Sequence, residues 1–134
     1  MAYNRDNIQK VKEILAARRS EAVSTSMRRK AEMEARIPGY GELENALAGT
    51  GSRIMEAAFS HTLDEETIAA IREDNRILRQ KKGELLKRYG YPADYTDIHY
   101  TCEACSDTGY RGIEMCSCMR RELIQAGVES AGLG

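Results

Sequence analysis

The chain has no tryptophan, and only 6% of its 134 residues are aromatic. Aromatic side chains supply much of the buried area in large cores, so a large globular core is not expected. With 42% hydrophobic residues, paired helices are the better expectation, as one domain or a helical module with a small appendage. No apolar run approaches the roughly 20 residues of a membrane-spanning helix, which excludes a membrane partner of that kind. The opening MAYNRDNIQK lacks the apolar stretch of a secretory signal. A net charge of −1 gives no global attraction to nucleic acid or anionic lipid. Internal repeats and low-complexity tracts are also missing. The expected location is cytoplasmic, where thiols stay reduced.

What is present is mainly helical. Residues 4–36 read as a long helix with Asn4 as N-cap and Ile8, Val11, Leu15, Ala22 and Met27 as a thin apolar stripe. Such a helix needs a partner to be stable. Pro38, Gly39 and Gly41 break the pattern. A second helix is expected over 42–59, interrupted at Gly49-Thr50-Gly51 by a kink or a loop. The third helix, 63–89, carries the clearest signals. Thr62 and Glu65 form a capping box, Gly90 stands as the residue after the C-cap, and Pro92 stops continuation. Ile68, Ile71, Asn75, Leu78, Lys82, Leu85 and Tyr89 follow heptad spacing. Polar seam residues such as Asn75 and Lys82 cost stability and fix register or partner number. The expectation is an antiparallel hairpin of the first and third helices, or a small bundle, with an intermolecular coiled coil and self-association through the helices as the alternative.

All four cysteines fall within residues 102–118. Cys102 and Cys105 have CxxC spacing, and Cys116 and Cys118 form a CxC pair. Two thiolates three positions apart on a tight turn reach one ion at about 2.3 Å. Asp107–Tyr110 reads as a strand, Arg111-Gly112 as a turn and Ile113–Met115 as the return strand. Met119–Ala126 then reads as a short helix, whose N-terminus favours thiolate. The expectation is a zinc-binding β-hairpin or knuckle over 91–126, with 127–134 a tail or linker. Four filled ligand positions make a structural Zn2+ site rather than a catalytic one. The bound ion supplies folding free energy that this apolar-poor segment lacks. Arg111, Arg120 and Arg121 are near enough in sequence to soften the charge of four thiolates. His99 stands as an alternative ligand to Cys116 or Cys118. An iron–sulfur cluster uses the same ligand count. A redox CxxC is disfavoured because no βαβ context surrounds Cys102.

Other motifs carry little. Gly49–Arg53 lacks the lysine of a phosphate loop, Asp64–Glu66 suits a helix start, and His61 precedes a cap. No Ser/His/Asp or Cys/His set emerges, so no catalytic residues and no enzyme activity are assigned. Residues 1–36 hold nine Lys/Arg against five Asp/Glu. Arg18, Arg19, Arg28, Arg29 and Lys30 form a basic stretch, read either as a solvated face or as the surface that contacts a partner.

The order of these features, a charged helical region followed by KRYGYPADYTDIHYTCEACSDTGYRGIEMCSCMRREL, resembles the N-terminal region of bacterial and phage replicative helicase loaders of the DnaC/DnaI type. The resemblance is specific over residues 85–123. It rests on Gly90-Tyr91-Pro92-Ala93-Asp94-Tyr95, on the block from Tyr100 to Tyr110, and on Cys116 with Cys118. It implies that Cys102, Cys105, Cys116 and Cys118 bind zinc and that the region docks on the replicative DNA helicase. In that family a C-terminal AAA+ ATPase domain handles ATP and single-stranded DNA. No Walker A motif occurs in these residues, which suits an excised N-terminal domain or a naturally short relative. The favoured expectation is a non-catalytic adaptor in DNA replication. The alternative is a zinc-dependent nucleic-acid-binding module using Tyr95, Tyr100, Tyr110, Arg111, Arg120 and Arg121, with single-stranded DNA as ligand. A redox or iron–sulfur protein is the third.

Overall fold

In the computed structural model, residues 3–132 are described. The chain runs α1 (Arg5–Arg36), α2 (Tyr40–Phe59), α3 (Glu65–Arg88), β1 (Tyr110–Arg111), β2 (Glu114–Met115) and α4 (Ser117–Ser130). The mainly helical class with a small two-stranded hairpin and a C-terminal helix is as expected. Two compact units form. One takes the chain up to Met27 together with Ile98 onward, and the other is Arg28–Asp97.

α1 starts where Asn4 caps it, its Oδ1 accepting from the Asp6 and Asn7 amides at 2.7 and 3.3 Å. Its buried positions fall into two interleaved series, Val11–Ala22–Met33 and Leu15–Ser26, the second continued by Ile37 just past the helix end. An 11-residue repeat averages about 3.67 residues per turn, close to the α-helical period, so such a stripe stays nearly straight along a helix. Ser26 occupies a buried place in it, whereas Met27, expected on the stripe, is 66% exposed.

Within Arg28–Asp97, the helical hairpin is made by α2 and α3 rather than by the first and third helices. The Gly49-Thr50-Gly51 stretch does not break α2, which runs through it. Glycine weakens a helix interior, but tertiary packing decides the outcome. Thr50 is buried, donates to the Leu47 carbonyl at 2.6 Å and accepts from Asn75 Nδ2 at 2.9 Å. Lys82, the second polar seam residue, is also buried, with Nζ 3.2 Å from Glu44 Oε1 and 3.6 Å from Asp97 Oδ1. Both polar seam residues therefore pair with α2. Buried polar partners of this kind favour one register over others.

The helix ends are set locally. Asp64, not Thr62, caps α3 and accepts from the Thr67 amide at 2.8 Å. Thr62 instead belongs to the end of α2, its amide bonded to the Ala57 carbonyl at 2.9 Å. At the end of α3 the Gly90 amide reaches the Lys87 carbonyl and the Tyr91 amide the Leu86 carbonyl, both at 3.0 Å, with Gly90 at φ 87°. This is a Schellman motif, and the Tyr91 ring packs on the cluster that contains Leu86, as the motif favours. α2 ends in the same pattern of bonds, but its left-handed residue is His61, at φ 56°.

Residues 91–97 are not extended. They fold in successive turns, with Tyr95 bonded to Pro92 and Asp97 to Asp94 through the backbone. They close a core of Met33, Ile37, Tyr40 and Leu86, on which Tyr91 and Tyr95 pack. Tyr40 is fully buried. Its hydroxyl donates to the Glu44 carboxylate and lies 2.7 Å from Thr96 Oγ1. Burial and the neighbouring carboxylate push the Tyr40 phenol well above its ordinary range.

Candidate metal centre

The site is built from one loop, one hairpin and one helix start. Asp107 organises the loop. It is fully buried, and its carboxylate accepts from the Thr101 amide at 3.0 Å and the Cys102 amide at 2.7 Å. Its own amide closes back on the Cys102 carbonyl at 3.3 Å. Ser106 and Asp107 both adopt left-handed backbone, at φ 55° and 58°, a conformation aspartate tolerates better than most residues. Thr108 then donates its hydroxyl to the Cys105 carbonyl at 2.6 Å.

Gly109 links the loop to the second cysteine pair. Its amide donates to Cys105 Sγ at 3.4 Å, and its carbonyl accepts from the Cys116 amide at 2.8 Å. Its φ is 89°, and an added Cβ would stand 2.8 Å from Met119 Sδ and 3.0 Å from Leu15 Cδ1. Conformation and packing both require glycine here.

The hairpin is shifted by one residue from the expected one. Tyr110 pairs with Met115 and Arg111 with Glu114, which leaves Gly112-Ile113 as the two-residue turn. Gly112 alone of these two has positive φ, at 67°, the pattern of a type II′ turn. Asp107 and Thr108 lie in the loop rather than in a strand. Cys116 is the N-cap of α4, and Cys118 sits in its first turn. α4 is longer than Met119–Ala126 and continues to Ser130, through part of the stretch expected as tail. Leu133 and Gly134, the end of that tail, lie outside the described residues.

These elements bring the four sulfurs together. All four Sγ atoms lie within 4.8 Å of one another. Cys102 and Cys116 are 3.7 Å apart, and Cys105 and Cys118 are 3.5 Å apart. A disulfide needs about 2.05 Å, and all four are free thiols. Four ligands at about 2.3 Å from a tetrahedral ion stand about 3.8 Å apart. The donor set therefore fits a metal ion. Cys105, Cys116 and Cys118 are buried in the core of this unit, among Val11, Leu15, Met119, Leu123 and Ala126. His99 is exposed and outside the cluster.

The local field favours thiolate at two of the four. The Cys118 backbone N–H, aided by the other thiols, pulls the Cys116 thiol down to about 6. At Cys105 burial works in the opposite direction, but the Gly109 amide and the Cys102 and Cys118 thiols hold it below its ordinary value. Burial, reinforced by its three neighbours, pushes Cys118 up. The groups acting on these sulfurs are backbone amides, one of them at the start of α4, and the neighbouring thiols. Arg111, Arg120 and Arg121 are exposed.

The basic stretch on α1 is not one open face. Arg18 pairs with Glu122 at 3.0 Å, and Arg19 donates to the Asp107 carbonyl at 3.1 Å. Arg29 donates to the Tyr95 carbonyl at 3.2 Å and lies 4.6 Å from the Tyr95 ring centroid. Lys30 lies 3.8 Å from Glu44. Arg28 is exposed. Tyr95, counted with the nucleic-acid surface, is thus engaged by Arg29, while Tyr110 is 39% exposed.

Asp107 and Gly109 were missed as site residues by sequence reasoning. The signal was the Asp-Thr-Gly run after CxxC, which was read as the start of a strand. No helix among the described residues is long and apolar enough to cross a membrane. No family model, no curated protein and no solved structure matches the chain.

Proposed function

We propose that this chain is the non-catalytic N-terminal adaptor of a replicative helicase loader, a cytoplasmic protein that docks on the replicative DNA helicase and is held in shape by one zinc ion. The observation that carries the reading is the convergence of four thiols within 4.8 Å, inside the Tyr100–Tyr110 and Cys116–Cys118 blocks on which the resemblance rests.

Cys102, Cys105, Cys116 and Cys118 are the zinc ligands. Four thiolates fill a tetrahedral ion, so bound zinc supplies folding free energy and leaves no position for substrate. The chain's own residues prepare the site. Asp107 fixes the loop that carries the first pair, Gly109 joins that loop to the second pair, and α4 presents Cys118 from its first turn. Docking is assigned to the helical region. Of Arg18, Arg19, Arg28, Arg29 and Lys30, four have partners within the chain, and Arg28 is exposed with none among the described residues.

Native mass spectrometry of the chain titrated with the replicative helicase of the same source tests both parts. The expected result is one zinc per chain and a bound complex. A zinc-loaded, folded chain that forms no complex refutes the adaptor reading. One observation favours the alternative of a nucleic-acid-binding module: Tyr110, Arg111, Arg120 and Arg121 are all exposed in the unit that holds the cysteines. A DNA affinity that falls steeply with added salt would support it.

A further inference from the structure

The far end of the α2–α3 hairpin carries an apolar patch. Phe59, the only phenylalanine in the chain, is 79% exposed, Met55 59%, Leu63 41% and Ile54 39%. Single exposed apolar residues need no explanation, but a group at one end of one hairpin does. Ala48, Ser52, Met55 and Phe59 lie at helical spacing on one face of α2, and all are exposed. Beside them, a Cβ added to Gly51 would meet nothing within 4 Å. The chain's own packing gives no reason for a helix-weakening glycine at that position. A flat small-residue face next to Met55 and Phe59 lets another backbone approach closely.

The charge around the patch selects the occupant. Glu56, Asp64, Glu65 and Glu66 are exposed, and no Lys or Arg occurs from Ile54 to Ile71. Two arginines flank the stretch: Arg53, paired with Asp74 at 2.6 Å, and the exposed Arg72. The patch is therefore apolar with a mainly acidic rim, Glu56, Asp64, Glu65 and Glu66 standing closest to it in the chain. Nucleic acid and anionic lipid are repelled by such a surface.

We infer that the Met55–Phe59–Leu63 tip of the α2–α3 hairpin is the docking surface for a partner protein that presents an apolar groove rimmed by Lys and Arg. Met55 and Phe59 are the anchors that enter the groove, a helix-in-groove mode. The carboxylates set orientation and association rate. This rests on the adaptor reading and gives it a location away from the basic stretch.

The test is calorimetric titration of the 134-residue chain with the replicative helicase of the same source. Wild type is compared with the double variant Met55→Ser/Phe59→Ser and with Glu56→Lys. These side chains are exposed, and circular dichroism checks that the fold is kept. The double variant is expected to bind at least about 30-fold more weakly, as for a central anchor pair. Glu56→Lys is expected to bind a few-fold more weakly and with a shallower salt dependence. Binding of the double variant within about twofold of wild type overturns the inference and leaves the adaptor reading standing. No binding by wild type overturns both. A wild-type chain that self-associates through the patch, with a monomeric double variant, assigns the patch to a second copy and overturns the proposed occupant.

Discussion

Asp107→Asn isolates the contact on which the metal loop turns. The wild-type carboxylate accepts two backbone amides, at 3.0 and 2.7 Å, from a fully buried position. An asparagine offers one oxygen and one NH2 group, so one amide then faces a donor. The lost charge-assisted bond and the donor–donor conflict amount to about 2–3 kcal/mol. Asparagine tolerates left-handed backbone as well as aspartate does, so the φ of 58° adds no separate penalty. Loop order and metal binding are coupled, so the loss appears as metal affinity. At about 1.4 kcal/mol per tenfold, the expected fall is about 30- to 140-fold, at the upper end of the roughly 10- to 100-fold effects usual for groups that orient metal ligands. Competition for zinc against a chromophoric chelator reads this directly. An affinity within about threefold of wild type would refute the reasoning, because a difference below 1 kcal/mol is too small for a lost buried charged bond.

Four further outcomes are expected. Gly109→Ala destabilises by about 2–4 kcal/mol, from left-handed backbone and overpacking against Met119 and Leu15 together; urea unfolding measures it, and a loss under about 1 kcal/mol contradicts the packing. His61→Gly stabilises by about 1 kcal/mol, because glycine fits the left-handed position that ends α2; a thermal melt that does not rise counts against it. Glu44 shapes the acid limb of stability. Burial opposes its ionisation, but the Tyr40 hydrogen bond and the Lys82 and Lys30 ammoniums hold its folded carboxyl below its ordinary 4.5. A depressed folded value gives stability that is present above 4.5 and lost as pH falls through the folded value. Glu44→Gln is therefore less stable near neutrality and has a flatter profile below pH 4.5, read by denaturation at stepped pH. Metal stripping by chelator opens residues 98–132 to hydrogen exchange while the α2–α3 amides stay protected, since the two cores are separate clusters; uniform loss of protection would contradict this.

The parts of the molecule that were legible in the sequence are those whose physics is local. Asn4 caps α1, Gly90 ends α3 in a left-handed turn, and the cysteine spacing forecast four converging thiols. Each needs only a few neighbouring residues. The misreadings share the opposite cause. Gly49 and Gly51 read as a helix break, but Thr50 is locked from outside by Asn75, whose pairing is not visible from the local run. Thr62 and Glu65 matched a capping box, yet Thr62 is drawn into the end of α2, and Asp64 takes the cap. The buried face of α1 repeats every 11 residues and includes Ala22 and Ser26. Small residues on an unfamiliar period give a weak signal, and the sequence pattern places the exposed Met27 on the stripe instead. The pairing of α2 with α3 lay in the same blind spot, because the heptad seam of α3 says what it wants to cover but not which helix supplies the cover. At the metal centre the ligands were legible. The Asp107 lock was not, because it depends on left-handed backbone at two consecutive non-glycine residues.

Light scattering of the zinc-loaded chain mixed with the replicative helicase of the same source tests the central claim most directly. The account predicts a stable complex with a mass above that of the helicase alone. Two separate species, with zinc bound and the helices intact, would contradict it.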